Sequence, residues 1–132
     1  MKRPTPPIGR QVDFLRERGI EVPPTLRVAA SLISYIEMGN GTGGTIESER
    51  IAILKSAQEQ YVGKTVRSRA YGNPGTVLYL YALSGYEVRD MRRHGGRPPR
   101  PFKAVVRWQA GGRAEPGTRP VSIADLEVGH TA

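Results

Sequence analysis

The chain has 132 residues, 38% of them hydrophobic, with 20 basic against 12 acidic side chains and a net charge of +8. That length suits one compact domain or two very small modules, and no apolar run reaches the about 18 residues a membrane helix needs. Cysteine is absent, which excludes disulfides and thiolate metal sites and fits a cytosolic setting, and Met1 to Pro7 lead into no apolar signal segment.

The charge is unevenly spread. Residues 1–60 hold 8 basic and 7 acidic side chains, whereas residues 61–132 hold 12 and 5. A strongly basic half beside a nearly neutral one points to a polyanionic partner, nucleic acid before an anionic membrane. Of the 20 basic residues 16 are arginine, which suits phosphate recognition and equally a proteome rich in arginine.

In chain order, Ile8, Val12 and Leu15 fall at helical spacing, with Phe14 beside them and Arg10, Asp13, Arg16 and Glu17 opposite. Gly19 predicts a Schellman stop in which Ile20 meets Leu15, and Pro23-Pro24 prevents continuation. A second helix over 26–38 is predicted by Thr25 as N-cap, by the stripe Val28, Ala29, Leu32, Ile33 and Ile36, and by Gly39 at its end.

The run GNGTGGTIESER follows. Gly39, Gly41 and Gly44 spell G-x-G-x-x-G, but a dinucleotide loop needs a strand before it and an acidic residue on a second strand after it. A helical stripe precedes it instead, and Thr45 stands where a P-loop would place lysine. The glycines read as a C-cap plus a flexible joint. A third helix over 46–60 is predicted, capped by Thr45, with Glu47 and Glu49 in its first turn and Ile46, Ile53, Leu54, Ala57 and Tyr61 on its apolar face.

From residue 62 the period changes to that of strands. VGKTVRSR at 62–69 is followed by the turn Asn73-Pro74-Gly75, by TVLYLYAL at 76–83, by FKAVVRWQ at 102–109, and by PVSI and ADLEV at 120–128. Strict alternation puts Val77, Tyr79 and Tyr81 on one side of their strand and Leu78 and Leu80 on the other. Val77 suits a core, which favours a structural Tyr79. The alternative, tyrosines outside and able to stack on bases, stays open, and Trp108 reads as core or half-buried.

Two resemblances follow from these stretches. QVDFLRERGIEVPPTLRVAASLISYIE, with its Q-x-x-F-L-x-x-x-G-I-x-x-P pattern, resembles small helix-extended-helix modules of the SAP type. The order V-G-K-T-V-R, P-G-T-V, V-V-R-W, V-S-I-A-D-L-E-V over residues 61–129 resembles an SH3-like small barrel of the KOW or Tudor kind, whose Asp-Leu-Glu segment often closes through a 3₁₀ turn. The resulting expectation is an α+β chain. A two- or three-helix module at 1–60 precedes a small SH3-like antiparallel β-barrel at 61–132, and SGYEVRDMRRHGGRPPRP at 84–101 forms a long basic insertion, as a loop or with extra strand pairing near Tyr86 to Met91. Such barrels bind RNA, DNA, ribosomal surfaces, peptides or methylated side chains, so the site must be argued from the residues.

The candidate site is basic. Arg89, Arg92, Arg93, Arg97, Arg100 and Lys103 crowd the insertion, while Arg67 and Arg69 alternate on one strand and Lys103 and Arg107 on another. Guanidinium forks grip phosphate oxygens bidentately. His94 and His130 fit no metal spacing, the carboxylates Glu87, Asp90, Glu115, Asp125 and Glu127 form no dense cluster, and a cage of Tyr71, Tyr79, Tyr81, Tyr86 and Trp108 lacks a placed acid. A non-enzymatic nucleic-acid-binding protein is therefore expected, for RNA or DNA, with no metal, cofactor, small-molecule substrate or membrane. The alternative is an accessory subunit, of a phage-type or ribonucleoprotein-assembly kind, docking on an acidic protein surface.

Overall fold

The computed structural model describes residues 5–70, 72–93, 101–109 and 120–129. It is a mixed α+β chain. Helices α1 (Gly9–Glu17), α2 (Leu26–Met38) and α3 (Glu47–Tyr61) precede strands β1 (Thr65–Ser68) and β2 (Pro74–Ala82). Helix α4 (Gly85–Arg93), strand β3 (Phe102–Trp108), strand β4 (Pro120–Ser122), a 3₁₀ turn (Ile123–Asp125) and strand β5 (Leu126–Val128) follow. The five strands form one open antiparallel sheet in the order β4-β3-β2-β1-β5.

The first two helices end as their sequences dictate. Ile20 N–H reaches the Leu15 carbonyl at 2.9 Å and Gly19 N–H the Arg16 carbonyl at 3.0 Å, the two bonds of a Schellman stop. Leu15 and Ile20 are both buried. The Thr25 hydroxyl accepts from Val28 N–H at 3.2 Å, and Gly39 closes α2 at φ +77°.

Helix α3 departs from expectation in its cap and its buried face. Ile46 occupies the N-cap position with no side-chain cap, while the Thr45 hydroxyl turns back to donate to the Thr42 carbonyl. The buried positions are Arg50, Leu54, Ala57, Gln58 and Tyr61, and Ile46 and Ile53 face solvent. Of the expected apolar face, Leu54, Ala57 and Tyr61 are buried, but two polar residues take the places that Ile46 and Ile53 were expected to fill. Gln58 both accepts from the Glu21 N–H at 2.8 Å and donates to its carbonyl at 3.0 Å, fastening the chain after α1 onto α3.

Arg50, only 8% exposed, donates Nε to the Ile36 carbonyl at 2.8 Å, Nη2 to that of Glu37 at 3.2 Å and Nη1 to that of Thr45. The first two are carbonyls that the end of α2 leaves orphaned, and a cation there also faces the negative end of the helix dipole. The loop read as a flexible joint is thus tied down. Asn40 accepts from the Ser34 hydroxyl at 2.8 Å and donates to the Leu83 carbonyl at 3.0 Å, and a Cβ on Gly41 would lie 3.4 Å from the Gly85 backbone.

All three helices contribute to the apolar core that covers one face of the sheet. Leu15, Leu32, Tyr35, Ile36 and Leu54 join Val66, Val77, Leu80, Phe102, Val106 and Ile123 in one cluster, with Tyr35 edge-on to Phe102 at 5.0 Å. Gly75 sits where Trp108 crosses. A Cβ there would approach Val106 Cγ1 to 2.6 Å and the Trp108 ring to 2.8 Å. No helix of the described residues is long and apolar enough to cross a membrane.

Replacing Arg50 with Met removes three hydrogen bonds to backbone carbonyls, one of them buried and two partly buried. Arg50→Met is expected to destabilise the fold by about 2–4 kcal/mol in urea unfolding, and Arg50→Lys, which lacks the planar fork, by an intermediate amount.

Candidate nucleic-acid interface

The sheet's second face is built by register. Arg107 on β3 pairs with Thr76 on β2, which pairs with Thr65 on β1, and Arg67 lies two residues along from Thr65. Residues directly opposite share a face, and so do alternate residues along a strand. Arg107, Thr76, Thr65 and Arg67 therefore lie together, with Arg67 and Arg107 two strand spacings, roughly 10 Å, apart across the sheet. The opposite parity, Val66, Gly75, Val106 and Trp108, is buried against the helices.

The guanidiniums at this end stay accessible. Arg67 Nη1 donates to the Gly72 carbonyl at 2.9 Å, which uses one of its five N–H groups and steadies the rest. Arg69 meets Glu127 at 3.3 Å, but both side chains are more than half exposed, so the pair is weak and easily exchanged for another anion. Arg107 is exposed and makes no hydrogen bond or ion pair among the described residues.

Between Val77 and Tyr79 the β2–β3 register slips by one residue. Val77 pairs with Val106 but Tyr79 pairs with Val105, leaving Leu78 as a β-bulge. Val77 and Leu80 consequently both point into the core, whereas Tyr79 and Tyr81 point to the face that carries Arg107. The expectation that Tyr79 is structural alongside Val77 fails for this reason. Both tyrosines are half-buried and outside the core cluster, and Trp108, 9% exposed, is core.

The far end of this face is closed by a helix rather than by an irregular loop or extra strand. Ser84 and Glu87 exchange bonds of 3.1 Å each, Ser84 N–H to Glu87 and Glu87 N–H to the Ser84 hydroxyl, the reciprocal pattern of a capping box. Val88 is buried, and Lys103 Nζ donates to Glu87 at 3.1 Å. Arg89 and Arg93, one turn apart, are exposed on the flank away from Glu87.

The nine basic residues singled out by sequence thus do not form one cluster. Arg67, Arg69 and Arg107 gather at the β1 end. Lys103, half-buried and held by Glu87, lies roughly 13 Å along β3 from Arg107, and Arg89 and Arg93 stand on the flank of α4 that faces away from this pair. The side chain of Arg92, and Arg97 and Arg100 entirely, lie outside the described residues, as do His94 and His130. Sequence reasoning left the outward turn of Tyr79 and Tyr81 as an open alternative and missed helix α4. The S-x-x-E spacing of Ser84 and Glu87 was the signal available for the helix.

An open cleft of 690 Å³ lies between α2 and the start of α4, lined by Arg27, Ser31, Ser34, Met38, Asn40 and Tyr81 among others. Its polar groups are largely used within the fold: the Ser31 hydroxyl donates to the Val28 carbonyl at 2.7 Å and accepts from Ala82 N–H at 3.1 Å. Among the described residues no three His, Asp or Glu side chains are placed to hold a metal ion. No family model matches the chain, and no curated protein or solved structure matches it.

Titration at the α4 end follows from these contacts. Burial pushes the Glu87 carboxyl up, but hydrogen bonds from Ser84 and Lys103 outweigh it and hold it below its ordinary value. Burial likewise raises the Tyr81 hydroxyl, partly offset by Lys103. For Lys103, burial is the largest influence and lowers it, yet Glu87 and Tyr81 together carry it above the usual lysine value. A depressed carboxylate contributes stability above its unfolded pKa of about 4.3, which is lost as pH falls through the folded value. A raised lysine contributes below about 10.4 and is lost as pH rises through its folded value. Glu87→Gln is therefore expected to lower the melting temperature by a few degrees at pH 7, and the difference from wild type should begin to shrink as pH falls below about 4.3 and vanish only once the folded carboxyl is protonated.

Proposed function

We propose that this is a non-enzymatic nucleic-acid-binding protein that presents the solvent face of its sheet to a phosphate backbone. The observation that carries the reading is the group Arg67, Arg69 and Arg107, gathered on one sheet face while α1–α3 occupy the other. Arginines fixed on strands meet phosphates with little loss of freedom, and Thr65 and Thr76 between them add hydroxyl donors. Arg89 and Arg93, exposed on α4, add contacts at that end. The sheet is read as an opened SH3-like unit, supported by the order β4-β3-β2-β1-β5 and by the 3₁₀ turn between β4 and β5.

A second reading, docking onto another protein, draws on Met38 and Tyr86, which are 74% and 79% exposed at and beside the α2–α4 cleft. A salt-insensitive protein complex, unaffected by changes at Arg67 and Arg107, would favour it.

Fluorescence anisotropy with labelled RNA and DNA oligonucleotides separates the two. Binding is expected at roughly 50 mM salt and should weaken steeply by 200 mM as counterions are released. Arg67→Gln/Arg107→Gln should cost roughly tenfold in affinity and reduce the log–log salt slope by about 2. Undetectable binding at low salt, or an unchanged variant, would overturn the proposal.

A further inference from the structure

We infer that the ligand of this face is single-stranded, and that one of its bases stacks on the ring of Tyr79. The inference rests on the basic-face reading and adds to it the class of nucleic acid bound.

The bulge at Leu78 delivers two aromatic rings to the face that carries the arginines. They differ in availability. The hydroxyl of Tyr81 is engaged with Lys103, which Glu87 also holds, so this ring is part of the strut that seats α4. Tyr79 has no such tie among the described residues and stands between that strut and Arg107. Its cross-strand partner Val105 is only 4% exposed, although it lies on the face opposite the core and outside the core cluster. Directly opposed side chains approach to about 5 Å, so Val105 is flanked by Tyr79 on β2 and by Pro120 on β4. Tyr79 is half-buried on the face that carries Arg107, so part of the residue stays open to solvent.

A duplex does not use that arrangement. Its bases are stacked on one another, and reading it takes a helix or two-stranded ribbon that enters a groove about 12 Å wide. Here Arg67 and Arg107 stand on the broad face of a five-stranded sheet. A single strand can lay its phosphates along Arg107 and Arg67 and turn a base onto Tyr79, and base–aromatic stacking tolerates any sequence.

The test compares labelled oligo-dT and oligo-U of about twelve nucleotides with the dT·dA duplex of the same length, by anisotropy at low salt. Expected is single-strand binding at least roughly tenfold tighter than duplex binding. Tyr79→Leu should abolish that difference, Tyr79→Phe should keep it, and Tyr86→Leu on α4 should leave it intact. Either sugar satisfies the inference. Circular dichroism checks folding, and Tyr79→Val, a better strand former, carries the same comparison if the leucine variant is unstable. Equal affinity for the duplex, or a Tyr79→Leu protein that binds single strands as before, overturns the inference and leaves the basic-face reading standing. Failure to bind any of the three probes overturns both.

Discussion

One extra residue in β2 decides what each face of the sheet is made of. Side chains alternate with period two, so a strand of nine residues in uniform register would set Val77, Tyr79 and Tyr81 on one side throughout. The bulge at Leu78 breaks that parity once. Before it, Gly75 and Val77 face the helices, and after it Leu80 and Ala82 do. Without the slip, the helices would meet small and aliphatic side chains at one end of β2 and two tyrosines at the other. The slip gives an apolar surface along the whole strand for α2 and α3, and moves the tyrosines to the side where the arginines stand.

The helical layer depends on that surface, and its own connections are polar. Arg50, Gln58 and Asn40 each satisfy backbone groups that would otherwise be orphaned where helices end or the chain turns. None adds much apolar area. Each fixes a direction: Arg50 sets how α3 follows α2, Gln58 ties the segment after α1 to α3, and Asn40 ties the glycine loop to the end of β2. With the helices held to one face, the other is left to Arg67, Arg107 and Tyr79, with α4 braced across one end through Glu87 and Lys103.

Much of this was legible in the residues where a local signal names its structure. Thr25 and Gly39 bracket α2, and Gly19 and Ile20 stop α1; the 3₁₀ turn that the resemblance put in the Asp-Leu-Glu segment forms instead at Ile123 to Asp125, where a strand end had been expected. Helix α3 was legible in extent and, through Leu54, Ala57 and Tyr61, in most of its buried face; Arg50 and Gln58 were missed because apolar counting assigns them to solvent. The bulge left no mark, since TVLYLYAL alternates equally well in either register. Helix α4 had its Ser84–Glu87 capping box, masked by the glycines, prolines and arginines that follow. The basic residues of the site were legible by type. Their division between the β1 end of the sheet and α4 was not, because it depends on which strands pair and how far along β3 each residue falls.

A platform of this kind separates two tasks. On the reading we propose, the arginines would supply long-range attraction and backbone grip, and the Tyr79 ring would select for bases free to leave their stack. The most direct measurement is an amide-resolved NMR titration of the labelled protein with a short single strand at low salt. The largest shifts are expected at Arg67, Thr76, Tyr79 and Arg107, with the amides of α1–α3 nearly unmoved. Shifts concentrated around Ser34, Gly41 and Gly85, with the sheet face silent, would contradict a binding role for that face.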